Sequence, residues 1–237
     1  MSSPVRYPSG VTNVSRIAPM GELPTLDPTN LVVWYDDFHT YTSGDWTVTE
    51  TDAASTQAVN TGAKGGVLLL THDTTTATAV NQLQNPNETF KIVAGKKLWL
   101  KARVSATAGT MNNFGILVGL AILDTSAVVG VTDGFYFRKS TGSSALEMVL
   151  EKNSTESSVT MIAAPGTVTA TFYEMAAYYN GKDSVEVWLD GVKVGTHTTL
   201  TNLCDDEELT VTIAAVNATA GAANVLSVDY LYIATER

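Results

Sequence analysis

Two short stretches of this sequence hold acidic residues near the spacing that hydrolysis of a glycosidic bond requires. Glu147 and Glu151 are separated by three residues, and so are Glu186 and Asp190. Glycosidases need two carboxyl groups on either side of the scissile bond, and one group built on β-sandwiches carries them as Glu-x-Asp-x-x-Glu on one strand. Both stretches lack the middle acid and have a different spacing. We therefore expect Glu147 and Glu151 to form a solvated strand face, and we predict that the protein is not an enzyme.

Other residue types that support catalysis show no suitable pattern either. The three histidines, His39, His72 and His197, lie beside loop-like sequence, and there is no Gly-x-Ser-x-Gly motif. Cys204 is the single cysteine and precedes four acidic residues, which would raise its thiol pKa and weaken it as a nucleophile. No Cys/His spacing suits zinc. The sequence predicts no catalytic residue and no cofactor.

Acidic residues leave calcium binding open as an alternative. Asp36, Asp37 and Asp229 would meet if the first and last strands paired, and the run 205–208 is entirely acidic. Carboxylates together with backbone carbonyls bind calcium. Surface acids in turns are the more common explanation, because no loop shows regular ligand spacing. We therefore predict no resident metal.

Aromatic side chains are the strongest binding signal in the sequence. Trp99 lies in a stretch between Lys91 and Lys139 that holds seven of the 14 basic residues, and Trp and Arg are favoured in subunit contacts. We therefore predict that Trp99 contacts a capsid protein or another subunit. The candidates for stacking against a glycan are Trp46, Tyr178, Tyr179 and Trp188.

The elements that carry these residues are predicted to be β-strands. From residue 31 onward apolar and polar residues alternate with period two, as in KLWLKARV. Asp190-Gly191 predicts a tight hairpin with positive φ, and the unbroken apolar run 114–123 predicts a strand covered on both faces. We expect the first and last strands to pair. The predicted fold is all-β: an antiparallel two-sheet β-sandwich of the jelly-roll class over residues 31–237.

The segment 1–30 differs from this body. Five of the seven prolines lie before residue 30, and no helical or alternating period runs through the segment. We interpret it as an extended N-terminal arm, which could reach roughly 90 Å, with a disordered tail as the alternative. The candidate anchors along it are Arg6, Tyr7, Val11, Val14 and Ile17.

Composition narrows the range of partners. The net charge of −10 disfavours nonspecific binding to nucleic acid. The longest apolar run, at 114–123, is too short to span a bilayer. A single cysteine fits maturation in a reducing cytoplasm. We predict no nucleic-acid partner and no membrane partner.

Two stretches, YPSGVTN at residues 7–13 and DDFHTY followed by DWTVTE within 36–50, carry a resemblance that spans nearly the whole chain. In this order they resemble a group of tailed-bacteriophage head proteins of the decoration or cement type. The resemblance implies a concanavalin A-like sandwich with an arm that follows the capsid. It also implies a non-enzymatic virion structural protein on the capsid exterior, assembled in the host cytoplasm. The major capsid protein and a homo-oligomer, with a trimer favoured, are its implied partners.

Two hypotheses of different classes therefore remain. The first is a phage protein that binds the outer capsid surface and decorates or cements capsomers. The second is a lectin-like, glycan-binding module on the virion that helps adsorption to the host. We regard a polysaccharide hydrolase as the least favoured option, because the sequence offers no obvious carboxylate pair.

Overall fold

The computed structural model describes residues 28–72, 77–163, 171–220 and 224–237. The predicted arm lies almost entirely outside these ranges, so its division from the body stays a prediction. Within them the chain forms sixteen strands, one short α-helix, α1 (Ala127–Gly130), and three 3₁₀ turns, Pro28–Asn30, Ser43–Asp45 and Met111–Asn113. In chain order the strands are β1 (Leu31–Asp36), β2 (Thr47–Glu50), β3 (Thr56–Val59), β4 (Leu68–Thr71), β5 (Val80–Gln84), β6 (Phe90–Lys91), β7 (Leu98–Thr107), β8 (Phe114–Ala121), β9 (Gly134–Lys139), β10 (Leu146–Lys152), β11 (Thr155–Ile162), β12 (Tyr173–Tyr179), β13 (Val185–Leu189), β14 (Val192–His197), β15 (Glu208–Asn217) and β16 (Val225–Glu236).

The strands are arranged in two eight-stranded sheets. Sheet A runs β14-β13-β12-β7-β16-β4-β3, with β1 also paired to β16, and sheet B runs β11-β10-β9-β8-β15-β5-β2, with β6 paired to β15. The pairs in both sheets are antiparallel. The prediction of an all-β, two-sheet jelly-roll sandwich is confirmed. Among the helices of the described ranges, none has the length and apolar character needed to cross a bilayer.

The core lies between the inward faces of the two sheets, as in other sandwiches. On β7 the alternation assigns Leu98, Leu100 and Ala102 to the core cluster, and all three are buried there. Trp99 and Lys101, which lie between them in sequence, belong to the opposite, outer face of sheet A. Side chains on β7 therefore divide between core and outer face as the period-two pattern predicts.

Strand β8 is buried along its whole length, which confirms the prediction for this apolar run. One face contributes Ile116 and Val118 to the main core. The other face, with Leu117, packs against Ala127 and Val128 from the segment 122–133. A strand sandwiched in this way has no need of polar residues on either face.

Two further local predictions are confirmed. Asp190 and Gly191 have φ values of 48° and 77° and join β13 to β14, as a primed hairpin turn requires. β1 pairs with β16 in a register that runs from Leu31 opposite Glu236 to Asp36 opposite Leu231. The first and last strands of the body therefore lie side by side in sheet A.

Candidate functional site

A cleft opens where β1 ends, beside the connection between β5 and β6. Its volume is about 310 Å³, which is at the lower end of the range for small-molecule sites. Three separate segments of the chain form its wall. The lining residues are Trp34, Asp36, Thr40, Tyr41, Thr42, Asp45, Trp46, Asn85, Pro86, Asn87 and Thr89.

Two half-buried tryptophans define the aromatic part of the cleft. The rings of Trp34 and Trp46 have centroids 5.8 Å apart and meet edge to face at 79°. Trp34 lies on the inward face of β1, opposite Ile233 of β16, and reaches the cleft because β1 is an edge strand. Trp46 follows a 3₁₀ turn, Ser43–Asp45, and its backbone N–H donates to the Ser43 carbonyl at 3.2 Å. The turn therefore holds the second ring against the first.

Polar groups lie beside these rings. The Asp36 Oδ1 accepts a hydrogen bond from the Phe38 N–H at 2.7 Å, and burial raises the pKa of this carboxyl group. Phe38 has a positive φ of 46°, which turns the chain out of β1 and into the wall of the cleft. The Tyr41 hydroxyl is buried and has no hydrogen-bond partner within the described ranges. Buried polar groups normally have a partner, so this hydroxyl is a candidate for bonding to a ligand.

The other predicted stacking residues lie elsewhere. Trp188 belongs to the outer face of sheet A and is 3% exposed, whereas Tyr179 points into the core and is also 3% exposed. Tyr178 stacks on Trp99 with centroids 5.6 Å apart and an interplanar angle of 25°. Of the four candidates, the structure therefore places Trp46 in the cleft and separates it from the other three.

The residues predicted to contact a capsid protein or another subunit are either buried in this chain or outside the described ranges. Trp99 is fully buried beside Leu31 and Ala234, and its Nε1 has no hydrogen-bond partner in the described part of the chain. The five anchors of the predicted arm lie outside the described residues. They are Arg6, Tyr7, Val11, Val14 and Ile17.

Basic side chains on the outer face of sheet A are matched by acids. Lys101 Nζ lies 2.8 Å from Glu174 Oε1, and the Tyr230 hydroxyl donates to the same carboxylate at 2.6 Å. Arg103 forms an ion pair with Asp229. Asp229 was one of the three acids considered for calcium, and this ion pair explains its position without a metal.

Sheet B has a carboxylate cluster on its outer face. Glu151 of β10 lies directly opposite Glu156 of β11. Tyr136 donates a hydrogen bond to Glu151, whose pKa is raised by burial. Arg138 Nη2 donates to Glu156 at 3.0 Å, and this guanidinium lowers the pKa of Glu156. The opposite shifts have separate causes, which are burial at Glu151 and the Arg138 ion pair at Glu156.

The segment 122–133 covers part of this outer face and is held by two glutamines of β5. Gln82 Oε1 accepts from the Ala127 N–H at 2.8 Å. Gln84 accepts from the Asp124 N–H at 3.0 Å and donates to the Ile122 carbonyl at 2.8 Å. The two glutamine side chains of β5 thus form hydrogen bonds with backbone N–H and C=O groups of this irregular segment.

One group of three metal-ligating side chains occurs within the described ranges. Ligand atoms of Asp133, Cys204 and Asp206 lie within 4.8 Å of one another. Burial raises the pKa of Cys204 to about 12, and a thiol must lose its proton to bind a metal. Lys152 Nζ also lies 3.2 Å from Asp206. The group is better explained as a buried thiol beside a surface ion pair.

No protein-family profile and no curated protein sequence matches this chain. Solved structures do resemble it. A protein of unknown function from Shewanella oneidensis MR-1, SO2946, is 16% identical with a TM-score of 0.60, over 87% of each chain. A glycoside hydrolase family 16 endo-glucanase from Bacteroides ovatus is 11% identical with a TM-score of 0.61, over 84% of this chain and 99% of the other. The carbohydrate recognition domain of Emp46p is 10% identical with a TM-score of 0.55, over 83% and 93%.

These neighbours share the concanavalin A-like sandwich, and they correct one prediction. The prediction that the protein is not an enzyme is wrong as drawn, because endo-glucanases are built on this fold. The sequence argument considered acids on one strand, whereas the sheet brings Glu151 and Glu156 together across two strands. At these identities the likeness shows the fold alone, and lectin domains and glycoside hydrolases both use it.

Proposed function

We propose that this protein binds carbohydrate in the cleft at the end of β1. The observation that carries the proposal is the perpendicular pair of Trp34 and Trp46 in a cleft that also holds carboxylate and amide groups. A pyranose has apolar C–H faces that pack on an aromatic ring and hydroxyls that need hydrogen-bond partners. Asp36, Asp45 and Asn85 offer such partners beside the rings.

The fold supports this proposal at a coarser level. Its structural neighbours include a carbohydrate recognition domain and glucan-processing enzymes. The cleft is formed by one edge strand and two irregular segments, and binding residues are often found on loops that a rigid scaffold holds in place. A sugar could therefore bind without any rearrangement of the sheets.

The test is glycan binding by a Trp46→Ala variant. Removal of the ring takes away a stacking surface, so we expect affinity to fall by about 30-fold, as for truncation of an aromatic hot spot. Binding is measured by calorimetry with the best ligand from a glycan array. Tyr35→Ala is the matched control, because Tyr35 is an exposed aromatic on the outer face of sheet A and does not line the cleft. Equal affinities of Trp46→Ala and the unaltered protein would remove this site.

A second candidate function is decoration or cementing of a bacteriophage capsid, with the major capsid protein as partner. The sequence resemblance supports it, and so does an exposed apolar edge. Val33 is 47% exposed and Tyr35 is 56% exposed on β1, the strand that directly follows the predicted arm. In this proposal the protein resides on the virion exterior as a homo-oligomer, with a trimer favoured. A glycan-binding cleft on a virion would serve adsorption to the host, so the two functions are compatible.

This second proposal is tested by cosedimentation of the purified protein with capsids of the virus that encodes it. We expect saturable binding with a fixed number of copies per capsid. A protein that remains in the supernatant at all concentrations would remove the proposal, whatever the result for glycans.

A further inference from the structure

We infer that the cleft selects neutral saccharides and rejects anionic ones, such as uronic acids and sulfated or sialylated glycans. This inference rests on the proposed carbohydrate binding and adds the chemical class of the ligand. Its basis is the charge around the cleft, which has one sign.

The charged residues of the described wall are Asp36 and Asp45, and none of its members is Lys, Arg or His. The other polar members are threonines, a tyrosine and two asparagines. Glu50 adds to this field: burial of Tyr41 raises the pKa of that hydroxyl in the wall, and the negative charge of Glu50 raises it further. Negative charge therefore faces the cleft from the β1 side and from the 3₁₀ turn.

The basic side chains closest in sequence to the wall have partners outside it. His39 Nε2 lies 3.1 Å from the Asp37 carboxylate. Lys91, two residues beyond Thr89, lies 2.9 Å from Glu208. Neither side chain lines the cleft, so an acidic sugar would find no cation among the described lining residues. The overall charge of −10 adds a repulsive field at longer range.

A neutral sugar suits the same groups. Its hydroxyls can donate to the Asp36 and Asp45 carboxylates, and hydrogen bonds to an ionised acceptor are stronger than those between neutral groups. Asn85 and Asn87 can both donate and accept. An anionic substituent at the same place would set like charges together, and such repulsion is an effective source of specificity. We expect an acidic sugar to bind about tenfold more weakly than its neutral parent at low salt.

The experiment is a glycan array that carries matched pairs, each anionic saccharide beside its neutral parent. The unaltered protein should bind the neutral members. An Asp36→Asn, Asp45→Asn double variant should narrow the difference within each pair, because asparagine keeps an acceptor and loses the charge. An Asp183→Asn, Asp190→Asn double variant is the control, since it also removes two charges, from the exposed turns on either side of β13, and neither residue lines the cleft.

The outcomes separate this inference from the proposed function. Binding of neutral members with an altered pair ratio in the double variant supports both. Preferential binding of anionic members by the unaltered protein overturns the inference and leaves carbohydrate binding intact. A pair ratio that does not change in the double variant also overturns the inference. An array without any signal overturns the proposed function itself.

Discussion

His72 is a neutral imidazole held in the core. Its side chain is 1% exposed and meets the Phe114 ring edge to face, with centroids 5.6 Å apart. Neither ring nitrogen has a hydrogen-bond partner in the described part of the chain. Burial lowers the pKa of this histidine to about 4. The folded protein therefore binds a proton at His72 less readily than the unfolded chain does.

This difference predicts a loss of stability in acid. Above the unfolded pKa of about 6.5 the imidazole is neutral in both states and contributes no pH dependence. As the pH falls from there towards 4, the unfolded state gains the proton first, and the free energy of unfolding drops by up to about 3 kcal/mol. Urea titrations at pH 7.5 and at pH 4.5 measure the free energy of unfolding. Between these two pH values it should fall by about 2 kcal/mol less in a His72→Leu variant than in the unaltered protein.

The control for this prediction is Ile92→Val, because it perturbs the buried core mildly and removes no titrating group, so its acid loss should match that of the unaltered protein. Carboxyl groups of the protein also titrate in this pH range, but they are the same in all three proteins. Parallel pH profiles for the unaltered protein and His72→Leu would contradict the prediction.

Trp46 shows how much of the site could be predicted from single residues. It is one of four aromatic residues predicted to stack against a glycan, and the structure places it in the cleft. Its predicted companion Trp188 is nearly covered, and its true companion is Trp34. Trp34 lies in an apolar run, which predicts a position in the core. It is partly exposed because β1 is an edge strand. Edge position is set by the order of strands in the sheet, which the local sequence does not encode.

At the scale of elements, strands were easier to predict than the segments between them. Alternation assigned the faces of β7, and the run without alternation identified β8. On β10 the expected solvated face is wrong for Glu151, which is only 7% exposed because Tyr136 and the neighbouring strands cover it. The cleft escaped prediction because a 3₁₀ turn and the residues 85–89 form much of its wall, and such irregular segments have no period. The glutamines of β5 escaped for a related reason. Their partners are backbone groups about 40 residues away.

These glutamines lead to a prediction about the segment 122–133. Replacing both Gln82 and Gln84 by leucine removes the acceptors of the Ala127 and Asp124 amides. Each lost hydrogen bond weakens the attachment by about 1 kcal/mol. Hydrogen exchange at these two amides should therefore accelerate by roughly tenfold or more, as measured by NMR.

A matched control is Gln57→Leu. Gln57 is also a strand glutamine, and its amide contacts Asn81 at 2.7 Å rather than the segment 122–133. Its replacement should leave exchange at residues 124 and 127 unchanged. Unaltered exchange in the Gln82, Gln84 double variant would mean that apolar packing against β8 alone holds the segment.

At the scale of the whole molecule, the predicted arm and the body can be tested separately. Among the described residues the core cluster extends from residue 38 to residue 233, and we predict that deletion of residues 2–29 leaves a folded protein. Capsid binding should be lost, because in this proposal the arm attaches the protein to the capsid. Each arm binds weakly, and many arms act together through their effective concentration. Circular dichroism and thermal unfolding check the fold, and cosedimentation checks binding.

A full-length variant guards against an effect of the deletion on the body. It carries serine in place of the five candidate anchors, which are Arg6, Tyr7, Val11, Val14 and Ile17. Both proteins should fold and both should fail to bind capsids. Retained binding by either one would show that the arm is not the attachment.

The position of β15 and β16 has a consequence for biosynthesis. β15 lies between β8 and β5 inside sheet B, and β16 lies between β7 and β4 inside sheet A. Both strands come from residues 208–236, so a nascent chain that has emerged only to residue 207 lacks an interior strand of each sheet. Long-range pairings of this kind form late, and the exposed edges of β8, β5, β7 and β4 would need protection from aggregation until then. We expect such ribosome-bound chains to recruit chaperones, and the sandwich to close after translation has passed this point.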